Sequence, residues 1–322
     1  DICRELLRGI ELSLLSGNDE SLPGLEKSKT SQNMEEHYAM LKAKLDSMNS
    51  VLKKKHDLYG KIIDLEPLGK GSYGSVIKVF DTKNRKILAR KSMKMNDEAL
   101  FNYNAIKEIR PLLQLMTHNR VELLSMYEIN FQPGKVCTML MEYGVGTLDD
   151  LEKFISNYNI VYRGLIEEVR AQLIQQVNIL RSINLCHRDI KPENVIITEK
   201  FEFKLADYGL SEVVKQQGVQ EMVVTGTPGY WAPEIEYASN HDMEVCMIDP
   251  YEADLYSIEA TLKKLEKTLK GQTNEVAKEK FVSEFKEEMI WNTFKKLNQE
   301  KQEELLKKMS SEYILNEMKI RL

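Results

Sequence analysis

The run His187-Arg188-Asp189-Ile190-Lys191-Pro192-Glu193-Asn194, followed 13 residues after Asn194 by Asp207-Tyr208-Gly209, constrains this chain more than any other feature. It gathers a base, a cation and two hard oxygen donors in one short stretch. That set suits phosphoryl transfer to a hydroxyl, whose transition state is stabilised mainly by positioning and by neutralising charge. Asp189 can accept the hydroxyl proton and Lys191 can neutralise the transferred group. Asn194 and Asp207 offer oxygen ligands, which suit Mg²⁺ better than imidazole or thiolate.

A second motif lies upstream. Leu68-Gly69-Lys70-Gly71-Ser72-Tyr73-Gly74-Ser75-Val76 follows the apolar segment Ile62 to Leu68, and Ile77 and Val79 read as a return strand. Glycines at 69, 71 and 74 let a hairpin lie close over a triphosphate. A dinucleotide-binding turn needs its third glycine to open a helix. Here β-branched and apolar residues follow, so the motif predicts strand, turn, strand.

Together these residues resemble the eukaryotic-type protein kinase family, specifically its Ser/Thr branch. Tyr208 stands where the family has Phe. The resemblance covers about Tyr59 to Leu322 and implies a two-lobed α+β fold. An antiparallel five-stranded sheet with one helix forms the first lobe, a mainly helical lobe follows, and ATP with Mg²⁺ occupies the cleft. Asp189 and Lys191 are the expected catalytic residues, and Asn194 and Asp207 the metal ligands. The loop from Leu68 to Val76 is expected to cover the phosphates. Ile87-Leu88-Ala89-Arg90-Lys91 resembles the strand that lines the nucleotide with Ala89 and puts Lys91 on the α- and β-phosphates. Glu108, on a helix predicted over Glu98 to Leu115, is the expected ion partner of Lys91, with Glu98 the competitor. Pro111 predicts a kink after Glu108. Val136 to Tyr143 resembles the strand entering the hinge, with Met141 as gatekeeper and the backbone of Glu142 to Gly144 facing adenine. Thr147 takes the place where the family often has an acidic residue at the ribose, with Asp149 and Asp150 just after it.

Downstream, Thr225 to Glu234 resembles the substrate-docking loop ending in Ala-Pro-Glu. Thr227 with Lys191 is the combination found in kinases of Ser and Thr. Glu193 either faces a basic residue of the substrate or is solvated. Asp254 resembles the aspartate that anchors the catalytic-loop backbone. The gap from Glu234 to Asp254 predicts a small insertion holding His241, Cys246 and Pro250. Glu259 replaces the usual glycine, and the charges that follow predict that the buried part of this helix ends near Leu262. The partner of Glu234 is Arg321 or Lys308. If it is Arg321, the chain stops just before the last helix of the lobe. Arg188 resembles the residue that pairs with an activation-loop phosphate. Between Ser211 and Thr225 no Ser, Thr or Tyr occurs, so Glu221 is expected to serve Arg188 as a fixed carboxylate, with Thr225 the alternative.

Residues 1–58 read as a separate helical extension and 59–322 as the kinase domain. Met34, Tyr38, Leu41, Leu45, Met48 and Leu52 recur at spacings of 4, 3, 4, 3 and 4, a heptad-like pattern. Over 34–52 it predicts docking on the chain's own domain, self-association or a partner's groove. The net charge of −5 argues against a nucleic-acid protein held by phosphate contacts. No apolar run reaches the 18 or so residues of a membrane span. Cys3, Cys137, Cys186 and Cys246 show no paired spacing, which predicts reduced thiols in a cytoplasmic or nuclear protein. The expected partners are ATP and protein substrates bearing Ser or Thr. Two other readings are a folded module without transfer activity and a small-molecule phosphotransferase. The first normally lacks one of Lys91, Asp189 or Asp207, and the second lacks the docking loop.

Overall fold

A computed structural model of the chain describes residues 39, 42–43, 45–54, 60–71, 74–94, 98–118, 120–132, 134–214, 217–270, 272 and 274–295. The first lobe is a five-stranded antiparallel sheet. Its strands are β1 (Ile62–Gly71), β2 (Gly74–Asp81), β3 (Lys86–Met93), β4 (Met126–Gln132) and β5 (Val136–Glu142), in the order β1-β2-β3-β5-β4. The β1–β2 pair ends with Gly71 opposite Gly74, so the glycine run lies between two antiparallel strands, as its β-branched flank predicts, and does not open a helix. Gly74 is dictated by the next strand, because a Cβ there would lie 2.1 Å from the Ser92 carbonyl oxygen.

Helix α1 covers residues 45–54 and α2 spans Glu98–His118. Leu45, Met48 and Leu52 are buried in the same apolar core as Ile109, Leu112 and Leu113 of α2. Asn49 fixes α1 to edge strand β4: its Nδ2 donates to the Ile129 carbonyl at 2.5 Å and its Oδ1 accepts from the Ile129 N–H at 3.0 Å. The described half of the heptad-like stripe therefore faces this chain's own sheet. Met34, Tyr38 and Leu41 lie outside the described residues. Helix α2 keeps Pro111 inside it and runs to His118, three residues past the predicted end at Leu115.

The second lobe is built on α3 (Leu148–Tyr158), α4 (Leu165–Ser182), α5 (Pro233–Asn240), α6 (Pro250–Leu269) and α7 (Lys278–Lys295). Thr147 caps α3 in a reciprocal box with Asp150, which satisfies N–H groups left without partners at a helix start. Asp249 caps α6, with Pro250 at its first position. The expectation that α6 is buried only to about Leu262 is corrected, since Leu265 is also fully buried. Helical spacing places its charges on other faces, where distant partners meet them. Arg170 of α4 holds Glu259 at 3.0 Å and Glu266 at 3.3 Å, and Lys264 lies 3.3 Å from Glu152 of α3.

The predicted insertion has a definite shape. After α5, strand β13 (Val245–Ile248) pairs antiparallel with β12 (Gln220–Val223). The remaining strands are short: β6 (Gly146–Thr147), β9 (Val195–Ile197) and β10 (Phe203–Leu205) form one three-stranded sheet, β8 (Leu185–Cys186) pairs with β11 (Glu212–Val213), and β7 (Ile160–Val161) pairs with β14 (Asn274–Glu275). Met222, Cys246 and Ile248 share a small second core with Val214, Ala238 and Tyr251. Among the described residues, no helix is long and apolar enough to cross a membrane.

Candidate active site

The loop from β8 to β9 carries Asp189, Lys191 and Asn194, and Asp254 of α6 fixes its start. The Asp254 carboxylate accepts from the backbone N–H groups of His187, at 2.7 Å, and Arg188, at 2.8 Å. Its complete burial pushes the Asp254 carboxyl above the usual range, against the pull of His187 and of these two donors. His187 is fully buried and bridges the loop to the strand before Asp207. Its Nδ1 accepts from the Asp189 N–H at 3.3 Å, which leaves Nε2 as the donor to the Ala206 carbonyl at 3.0 Å.

Three groups converge on Asp189. Its Oδ1 accepts from the Thr227 hydroxyl at 2.6 Å. Its Oδ2 lies 2.9 Å from the Lys191 ammonium and 2.8 Å from Asn194 Nδ2. Lys191 also reaches Thr227 Oγ1 at 2.7 Å. Asn194 Nδ2 additionally donates to the Asp189 carbonyl at 2.8 Å, so its amide oxygen is turned away from Asp189.

A second cluster sits above. Lys91 of β3 contacts Glu108 of α2 at 2.5 Å and Asp207 at 2.9 Å. Burial opposes the lysine's charge, but the Glu108 and Asp207 carboxylates outweigh it and hold Lys91 above its ordinary range. Burial likewise works against a charged Asp207, yet the Lys91 ammonium holds its carboxyl below the usual range. Glu108 is therefore the partner, as the resemblance implies. Asp207 adopts a left-handed backbone, φ 58°, which is uncommon for a side chain other than Asn or Asp. The Tyr208 ring that follows is fully buried, 4.9 Å from the His187 ring, and its hydroxyl has no hydrogen-bond partner among the described residues.

Between the lobes lies a cleft of about 660 Å³. Of the sequence-predicted residues, Leu68, Gly69, Val76, Ala89, Lys91, Glu108, Glu142, Asn194 and Asp207 line it. Asp189 and Lys191 are not lining residues; Asp189 adjoins the cleft through Asn194, and Lys191 through Asp189. Gly71 and Gly74 close the β1–β2 hairpin, and Ser75 pairs with Lys70 and Ser92 in the sheet. Ser72 and Tyr73 lie outside the described residues, as do Arg321 and Lys308. The Glu142 side chain is committed to Lys204, at 2.9 Å, and to the Ser125 N–H, and the Glu142 N–H donates to the Ser125 carbonyl at 2.9 Å, so neither is available to a ligand. Asp149 turns away to Lys153, whereas Thr147 and Asp150 border the cleft.

Two things escaped the sequence. Arg188 contacts the Glu212 carboxylate and the Val223 carbonyl. The expectation of Glu221 is thus corrected: Glu221 lies exposed in β12, opposite Met247 of β13, while β11 brings Glu212 to the catalytic loop through its pairing with β8. The end of α7 also lines the cleft, with Met289, Asn292, Thr293 and Lys295. The Phe281, Phe285, Met289 spacing marks an amphipathic helix, but no local signal says what it packs against.

The pattern of the family described as "Protein kinase domain" matches residues 62–319. Among similar proteins, "Serine/threonine-protein kinase 1" of Arabidopsis thaliana is 33% identical over 187 residues, 56% of this chain and 21% of the relative. "Cyclin-dependent kinase-like 4" of Mus musculus is 32% identical over 186 residues, 56% of this chain and 52% of the relative. "Serine/threonine-protein kinase 4 homolog B" of Dictyostelium discoideum is 31% identical over 183 residues, 55% of this chain and 15% of the relative. The matched region spans about half or less of the length of these relatives.

Proposed function

Because this chain belongs to the protein kinase family, we propose that it transfers the γ-phosphoryl group of ATP, with Mg²⁺, to Ser or Thr hydroxyls of protein substrates. The names of its relatives support the Ser/Thr assignment. The observation that carries the reading is the convergence at Asp189, whose carboxylate already holds one hydroxyl, that of Thr227, at 2.6 Å. A group able to take that contact from a threonine side chain can orient a substrate hydroxyl and receive its proton.

The cofactors fit the donors present. The Asn194 amide oxygen and the second Asp207 oxygen are hard ligands at the base of the cleft. Among the described residues, no cluster of three or more His, Cys, Asp or Glu side chains forms a metal cage. That suits Mg²⁺, which is usually bound by one or two carboxylates together with substrate phosphates. Bound there, Mg²⁺ would neutralise charge on the β- and γ-phosphates. Lys91, held by Glu108, orients the α- and β-phosphates, and Lys191 faces the transferred group beside Asp189. Leu68, Val76, Ala89 and Met141 give the adenine end its apolar walls. The backbone from Glu142 to Gly144 offers it hydrogen-bonding groups.

The test is Asp207→Asn. Transfer to a generic substrate is expected to fall at least about 100-fold, the cost of losing one well-placed charge-stabilising group, with the fold retained. Turnover near the wild-type level in purified, folded Asp207→Asn protein contradicts the assignment.

A further inference from the structure

The face of α7 changes character along its length. Phe281 and Phe285 are fully buried, and their rings meet Phe154 of α3 edge-on at 5.6 and 5.5 Å. Met289 continues the stripe one turn later. Glu288 fastens the helix to α3 by accepting from the Tyr158 hydroxyl at 2.5 Å. Residues 281, 285, 289 and 292 are four, four and three apart, which keeps Asn292 on the same helix face. The stripe is apolar while it packs on α3. It turns polar at Asn292 and Thr293, where the helix enters the cleft wall. Both residues are half-buried, and neither side chain hydrogen-bonds another described residue. Packing on α3 gives no reason for an amide and a hydroxyl at these positions.

The approach of α7 is close by construction. A Cβ at Gly146 would lie 3.0 Å from Met289 Sδ and 3.1 Å from Phe285 Cζ, so a larger residue there would push the helix off the cleft. The adjoining part of the cleft wall is the segment from Gly144 to Thr147, where the sugar of a nucleotide held by that backbone would lie. Thr147 Oγ1 and one Asp150 oxygen are already engaged in capping α3. The amide of Asn292 and the hydroxyl of Thr293 each both donate and accept, as sugar hydroxyls do.

Resting on the reading of this cleft as an ATP site, we infer that the last turn of α7 belongs to the nucleotide site, with Asn292 and Thr293 hydrogen-bonding the ribose hydroxyls. The test uses the full chain with calorimetric titration of ADP and of 2′,3′-dideoxy-ADP. The Asn292→Ala/Thr293→Val double variant is expected to bind ADP roughly 10- to 30-fold more weakly, the effect of losing two neutral hydrogen bonds. Its affinity for the dideoxy nucleotide should change less than about twofold. Lys280→Ala/Glu284→Ala, at the exposed far end of α7, should leave both affinities unchanged. An unliganded melting temperature matching wild type shows that the double variant is folded. If it binds ADP as wild type does, or loses both nucleotides equally, the ribose role is wrong while the ATP-site reading stands. If wild type binds neither nucleotide, the ATP-site reading fails and this inference fails with it.

Discussion

Arg188 is paired with Glu212, nine residues before Glu221 in the same segment, and the same guanidinium takes the Val223 carbonyl. It thereby ties both ends of the segment after Asp207 to the catalytic loop without a phosphate. The β12–β13 pairing and its small core hold the same stretch from the other side. Phosphatase-treated protein should therefore keep measurable activity. Glu212→Gln should lower kcat by about three- to tenfold, a charge-assisted hydrogen bond discounted for partial exposure. Glu221→Gln should change it less than about twofold. Inactive dephosphorylated protein that regains activity with a phosphate mapped to Thr225 would contradict this.

Asn49 supplies both hydrogen bonds that edge strand β4 makes at Ile129 toward α1. Asn49→Ala leaves a buried N–H and a buried carbonyl unpaired, at a cost of about 2–3 kcal/mol. The melting temperature should drop by roughly 4–10 °C. Scanning calorimetry of the purified variant checks this, and an unchanged midpoint would show that α1 is not docked through Asn49.

Tyr208 buries a hydroxyl with no partner among the described residues, and burial pushes it above the usual phenol range. Tyr208→Phe removes that group and keeps the ring beside His187. The variant should gain about 1 kcal/mol in stability, read as a higher urea midpoint with an unchanged m-value. A lower midpoint would mean that the hydroxyl is satisfied.

The Lys91–Asp207 contact sets a pH window. The folded-state pKa of Asp207 is depressed, so its contribution to stability is full above the unfolded value of about 3.9 and disappears as pH falls through the lower folded one. That of Lys91 is raised, so its contribution is full below about 10.4 and is lost as pH rises through the higher folded value. Between these limits both are constant. The difference in melting temperature between wild type and Asp207→Asn should be flat from about pH 5 to 9, should shrink below about pH 4, and should shrink again as Lys91 deprotonates above about pH 10.4. A difference that drifts across pH 6 to 8 would mean that another group titrates with the pair.

The parts of the site legible in the sequence are those in which spacing and chemistry are local. The Asp189, Lys191, Asn194 loop and the glycine hairpin each lie within nine residues, so order alone fixes which groups can meet. Glu108 was legible through the family resemblance, which singles it out over Glu98 on the predicted helix. Glu212 was missed because its reach to Arg188 depends on β8–β11 pairing across 24 residues. Burial of α6 to Leu265 was missed because Arg170 and Glu152 come from other helices. The α7 contribution to the cleft depends on Gly146 admitting Phe285 and Met289, a contact some 140 residues apart.

The central reading is tested most directly by incubating the full chain with γ-labelled ATP, Mg²⁺ and a panel of Ser, Thr and Tyr peptides, then identifying the labelled residue. Label should enter Ser or Thr and not Tyr, and both EDTA and Asp189→Asn should abolish transfer. Absence of transfer to every peptide by folded, ATP-binding protein, or label found on Tyr alone, would contradict it.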